Sequence, residues 1–247
     1  MIFWLRLLGV CFSFIVTSLI GFVLILVRWR DLSLNHYYGQ TLRFFAEPLS
    51  GIKADVVGWE NWHAHQPCIY AVNHQSNLDT VPLSGVFPKK TLLIGKKELV
   101  FVPFFGLYYY GAGNILIDRN KRTQAIAGLD QAVKYMKEKG ASIWIFPEGT
   151  RNTLAKGKGH ALLPFKKGAF YMAIQAGVPI VPIVSARFDG KFDWKKKLFR
   201  AGKHRIAILP PISTAGMTKD DVDRLSAITR QKMLDALRDF GDDRILS

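Results

Sequence analysis

From Leu7 to Val27 the chain carries no charged residue, a run of 21. As a helix this run is about 30 Å long, the thickness of a bilayer's hydrocarbon core. Its length, the lack of a small-residue cleavage site and the Arg28-Trp29-Arg30 that follows set it apart from a cleaved signal peptide. Arg28 and Arg30 outnumber Arg6 on the other side, which places the rest of the chain in the cytoplasm. Hydropathy does not separate a helix that spans the bilayer from one that enters a single leaflet. Residues 32–50 then mix His36, Tyr37, Tyr38, Phe44 and Phe45 with polar groups. They predict a second helix, lying at the membrane surface or packing on the domain.

After Gly51 the pattern changes. Short runs rich in Ile and Val alternate with longer helical stretches. The runs at 52–58, 68–72, 91–95, 114–117, 142–146, 179–184 and 205–209 predict strands. The stretches at 79–86, 122–138, 165–176 and 218–240 predict helices, the last opening on the capping signal Thr218-x-x-Asp221. Alternating strands and helices predict an α/β fold, a largely buried sheet flanked by helices. The chain thus divides into an N-terminal membrane anchor with an interfacial helix (1–50) and a second domain (51–247).

Composition narrows the classes. Apolar residues make up 49% of the 247, which favours a packed domain over disorder. The formal charge of +15 points to anionic partners: nucleic acid, anionic lipid or an acidic carrier protein. Cys11 in the first apolar run and Cys68 in mid-chain do not form a disulfide framework, and a reducing compartment is the simpler reading.

Four stretches hold candidate chemistry. Asn73-His74-Gln75-Ser76-Asn77-Leu78-Asp79 follows an apolar strand. A histidine is the usual general base near neutral pH, and a carboxylate on its far ring nitrogen fixes its tautomer. Residues five apart on a helix diverge by about 140°, so His74 and Asp79 can pair only if the segment between them turns. Taken alone, Asp79 is as readily a helix N-cap and His74 a loop histidine. Phe146-Pro147-Glu148-Gly149-Thr150-Arg151 sets a turn, a carboxylate and a guanidinium at a strand's end, where open α/β sheets bind ligands. It is also a plausible plain turn. Gly113-Asn114-Ile115-Leu116-Ile117-Asp118-Arg119 ends a strand in a second cation. Val178-Pro179-Ile180-Val181-Pro182-Ile183 reads as a core strand. Residues 187–205 hold eight Lys/Arg interleaved with Phe188, Phe192, Trp194 and Phe199. That mixture suits an anionic membrane surface or single-stranded nucleic acid, and the apolar N-terminal run favours lipid. Phe101–Tyr110 is almost wholly apolar and reads as an acyl groove, a lipid contact or core.

Taken in chain order, 73–79, 113–119, 146–151 and 178–183, the four stretches resemble the motifs of the glycerolipid acyltransferases. Leu163-Pro164-Phe165-Lys166-Lys167-Gly168-Ala169-Phe170 and Lys96-Lys97-Glu98-Leu99 also match. The resemblance covers roughly residues 60–215. It implies the family's α/β sheet and direct acyl transfer from acyl-CoA or acyl-carrier protein to the sn-2 hydroxyl of lysophosphatidic acid, at the cytoplasmic side of a bacterial inner membrane. By similarity, His74 is the base and Asp79 orients it. Glu148, Gly149, Thr150 and Arg151 shape the acceptor site, with Arg119 and Lys96 near the phosphate. The residues agree in offering no G-x-S-x-G nucleophile elbow. His63-x-His65 lacks further metal ligands. No cofactor and no nucleic acid are expected. Competing readings are a sibling enzyme with another acceptor (glycerol-3-phosphate or another lysophospholipid), a hydrolase, and a membrane-tethered nucleic-acid-binding protein.

Overall fold

Fully buried strands in a parallel sheet read as continuous apolar runs, because helices cover both faces. Three such runs form the centre of a mostly parallel sheet: β2 (Ile69–Val72), β5 (Ser142–Ile145) and β6 (Ile180–Ser185). A computed structural model describes residues 1–62, 65–118, 121–152 and 161–241. In it β2 lies between β5 and β6, parallel to both, with Ile69 opposite Ile143 and Ile180. The predicted strand at 205–209 starts earlier, as β9 (Gly202–Ile208), and runs antiparallel to β6 with Ile183 opposite Ile208. The remaining strands are β1 (Ile52–Val57), β3 (Thr91–Lys96), β4 (Ile115–Ile117) and the two-residue pair β7 (Phe192–Asp193) and β8 (Leu198–Phe199).

By internal contacts the chain forms two compact units. The first takes residues 1–55, 78–116 and 188–204; the second takes 56–77, 117–187 and 205–247.

In the second unit, α5 (Arg122–Lys139), α6 (Gly168–Ala176) and α7 (Val222–Asp239) accompany the central strands. The predicted start of the last helix is present. Thr218 N–H donates to the Asp221 carboxylate at 2.8 Å, closing a capping box before α7. Leu162, Val184, Ala207, Met233 and Leu237 form a buried apolar cluster here.

In the first unit, α1 (Ile2–Val27) packs along α2 (Leu34–Ser50) and α4 (Phe105–Gly111). The short α3 (Thr80–Ser84) also packs on α2. Gly21 lets α1 approach α4: a Cβ there would meet the Tyr108 ring at 2.7 Å. The inward face of α1 carries Phe3, Ser13, Thr17, Ser18, Gly21 and Ile25. Ser13 and Ser18 satisfy their hydroxyls on the helix's own carbonyls, at 2.7 Å each, and Ser18 also meets the Tyr38 hydroxyl at 3.0 Å. A buried amide network joins α2 to β3 and to the start of β4. Asn35 donates to Thr91 O (3.1 Å) and to Asn114 Oδ1 (2.7 Å), while Tyr108 donates to Asn35 Oδ1 (2.9 Å). Asn114, in the 113–119 motif, is thus fixed by its neighbours within the first unit.

Candidate active site

The segment after β2 does not continue as one helix. Residues 73–76 are irregular, and a 3-10 turn, Asn77–Asp79, leads into α3. The chain therefore turns between His74 and Asp79, as a pairing of the two requires. Asp79, in the first unit, is buried and occupies the N-cap position of α3, yet its side chain makes no capping hydrogen bond. The plain N-cap role does not account for this carboxylate.

His74, in the second unit, is half-buried and held on several sides. Its ring stacks on Phe146 with centroids 4.3 Å apart and planes at 22°. Its backbone N–H donates to Glu148 Oε1 at 2.9 Å, and its carbonyl accepts from Asn152 N–H at 2.6 Å. Before it, Asn73 grips the end of β6 with both ends of its amide. Its Nδ2 donates to Ser185 O at 2.9 Å and its Oδ1 accepts from Ser185 N–H at 2.7 Å. After it, Gln75 and Asn152 both donate to Ala161 O, at 3.3 and 2.9 Å.

The Phe146–Arg151 motif folds as the tight turn its sequence suggests. Gly149 N–H donates to Phe146 O at 3.0 Å, and Gly149 takes φ 69°, a conformation that favours glycine. Glu148 is only 2% exposed. While Oε1 takes His74 N–H, Oε2 accepts from Leu163 N–H at 2.8 Å. Backbone N–H donors to a carboxylate are among the stronger protein hydrogen bonds. Glu148 therefore ties the His74 loop to the chain that leads into α6. Thr150 is half-buried beside it, and Arg151 is exposed, its guanidinium donating to Asn77 Oδ1. His74, Glu148, Gly149, Thr150 and Arg151 thus belong to one pair of interlocked loops. Lys96 stands exposed at the end of β3 in the first unit. Arg119 and His63 lie outside the described residues.

Motif matching left the supports unassigned: Phe146 under the imidazole, Asn73 on Ser185, Asn77 on Arg151, and Asn152 on the His74 carbonyl. Asparagines at both ends of a loop were the available signal, since such side chains bond to nearby backbone. Cys68 is fully buried just before β2, and burial pushes its thiol up to about 12. A thiol kept protonated at neutral pH is a poor nucleophile.

The acyltransferase family model matches residues 53–186. The chain is 35% identical to a 1-acyl-sn-glycerol-3-phosphate acyltransferase of Haemophilus influenzae over 241 residues, covering 97% of this chain and 96% of that one. An Escherichia coli protein of the same name is 40% identical over 186 residues, 75% of this chain and 73% of that one. Among solved structures, the 1-acyl-sn-glycerophosphate acyltransferase PlsC of Thermotoga maritima superposes with a TM-score of 0.72 at 23% identity, covering 98% of each chain. That likeness shows a shared fold. With the four motifs in order, a family match across more than half of the chain and relatives matched along most of their length, the chain belongs to the acyltransferase family.

Proposed function

We propose that the protein transfers a fatty acyl group from acyl-CoA or acyl-carrier protein to the sn-2 hydroxyl of 1-acyl-sn-glycerol-3-phosphate, giving phosphatidic acid. His74 removes the hydroxyl proton, and the oxygen attacks the thioester carbonyl. The C–O bond forms, the C–S bond breaks, and the departing thiolate takes the proton back from the imidazolium. Asp79 orients the imidazole and supports its positive charge. The transfer is direct, without an acyl-enzyme; the buried Cys68 thiol is in keeping with that. The observation that carries this reading is the clamping of His74. A loop histidine without a task has no need of a ring stacked beneath it and of backbone bonds on both its N–H and its carbonyl.

The acceptor's phosphate falls to Arg151, whose planar fork suits a phosphate better than a lysine does. Asn77 holds that guanidinium in place. By the motif resemblance alone, Arg119 and Lys96 are further candidates for the phosphate. Glu148 serves the site by position, through the backbone of His74. The test is an assay of the purified chain with lysophosphatidic acid, glycerol-3-phosphate and larger-headed lysophospholipids in competition. Phosphatidic acid as the preferred product supports the reading; preference for another acceptor gives the site to a sibling activity.

We further propose that the enzyme sits on the cytoplasmic face of a bacterial inner membrane with α1 lying in one leaflet. α1 is about 39 Å long, and elements of the first unit pack on both of its ends. Phe3 meets Phe192 and Phe199 at one end, and Trp29 meets Tyr110 at the other, where Arg30 N–H donates to Gly111 O. Its exposed residues, among them Trp4, Leu5, Leu8, Phe12, Ile15, Leu19, Val23 and Leu26, lie along one side of the helix. A helix crossing the bilayer alone meets lipid all round, whereas one lying in a leaflet meets it along one face.

A further inference from the structure

In the first unit, residues 188–204 carry six Lys/Arg against two Asp, and the proposed chemistry uses none of them. Their centre is the hairpin of β7 and β8, with Phe192 opposite Phe199 and Asp193 opposite Leu198. The tip reads Trp194-Lys195-Lys196-Lys197. Lys196 N–H donates to the Asp193 carboxylate at 3.0 Å, which ties the tip to its base. Lys197 takes a positive φ of 50°, uncommon for a lysine. That turn delivers its ammonium among three rings, 4.7 Å from Trp194, 5.1 Å from Trp4 and 5.6 Å from Phe3. Lys197 thus pegs the hairpin to the first turn of α1. Beneath the peg, Phe3 is buried, and Arg6 donates to Phe199 O at 2.6 Å.

The peg sets the direction of everything else. Trp194 and Trp4 remain half exposed, at 52% and 49%, with ring centroids 6.2 Å apart. Beside them Ile2, Leu5 and Leu8 begin the apolar stripe of α1. Lys195, Lys196, Lys197 and Arg200 are all exposed in the same segment. Apolar stripe, amphipathic ring, exposed cation: the same sequence of chemistries runs from the acyl chains of a leaflet to its phosphates.

We propose that the hairpin 192–199 is an anchor for anionic phospholipid headgroups. Trp194 and Trp4 sit at the boundary between acyl chains and headgroups, Lys195 and Lys196 meet the lipid phosphates, and Lys197, though exposed, is engaged with the rings. The proposal rests on the reading of α1 as lying in one leaflet, and adds which lipid class holds that helix's N-terminal end.

The test uses the full chain, diluted from detergent onto vesicles of phosphatidylcholine alone or with one third phosphatidylglycerol. Vesicle flotation gives the partition coefficient. Each lysine at an anionic surface strengthens binding about fivefold at low salt. Lys195→Gln/Lys196→Gln is therefore expected to weaken binding to the anionic vesicles about 30-fold, to lose most of that difference at high salt, and to leave phosphatidylcholine binding unchanged. An unaltered melting temperature shows that the variant is folded. If the parent and the double variant bind anionic vesicles equally well, the anchor is overturned while the membrane reading stands. If the parent binds neither vesicle, both are overturned. Lysine-dependent binding of a single-stranded oligonucleotide, with no preference for phosphatidylglycerol, would give the hairpin to nucleic acid instead.

Discussion

Glu148→Gln separates a residue that positions the base from one that binds the acceptor. The carboxylate accepts two backbone N–H groups, from His74 at 2.9 Å and Leu163 at 2.8 Å, in a nearly sealed position. Glutamine has the same shape but only one acceptor oxygen; its NH2 must face one of the two donors. A hydrogen bond to a charged group contributes about 1.5–3 kcal/mol, and a buried donor left without an acceptor costs about 1–3 kcal/mol. A net loss of about 2 kcal/mol corresponds to a fall of about 4–8 °C in Tm for a chain of this size. Since one bond holds the His74 backbone, the same loss expressed in alignment lowers kcat about 30-fold. The acceptor's KM should move much less. Steady-state rates with lysophosphatidic acid varied in mixed micelles, beside a thermal melt, measure both quantities. A variant with unchanged kcat and Tm but a raised acceptor KM would refute the clamp and place the carboxylate on the substrate.

Three further outcomes are expected. Arg151→Lys keeps the charge but loses the fork, so acceptor affinity should fall about 10- to 150-fold with little change in the donor's KM; a change confined to the donor would move Arg151 to the phosphates of coenzyme A. Asp79→Asn should lower kcat strongly while the protein stays folded; near-normal turnover would remove Asp79 from the catalytic pair. Ile15→Asp, in the middle of the exposed stripe of α1, should shift the protein toward the soluble fraction without unfolding it, as Ile15 is 56% exposed. Unchanged membrane retention would mean that this stripe does not face lipid.

How much of this was readable in advance depends on what each pattern encodes. β2, β5 and β6 were, because a strand buried on both faces is an uninterrupted apolar run. β7 and β8 were not, since two-residue strands carry no period. α4 was missed for a related reason: Phe101–Tyr110 is apolar throughout, so no helical face stands out, and Phe104 enters the helix at φ 59°. Hydropathy likewise could not say which side of α1 is covered. The clue was polarity rather than apolarity, for Ser13, Thr17, Ser18 and Gly21 all lie on the packed face. At the site, motif order named the residues but not their bonds. That Glu148 holds the backbone of His74 depends on a contact between positions 74 residues apart, which no local pattern encodes.

The central claim is that a His74-dependent transfer makes phosphatidic acid. The direct measurement is product identity by mass, with purified parent protein and His74→Ala, lysophosphatidic acid, and either acyl-CoA or acyl-carrier protein as donor. The account predicts phosphatidic acid from the parent with at least one donor, and a loss of at least about a hundredfold in the variant, as positioned proton transfer contributes about 10²–10⁴. A folded His74→Ala protein that keeps most of its turnover, or a parent that makes no phosphatidic acid with either donor, would contradict it.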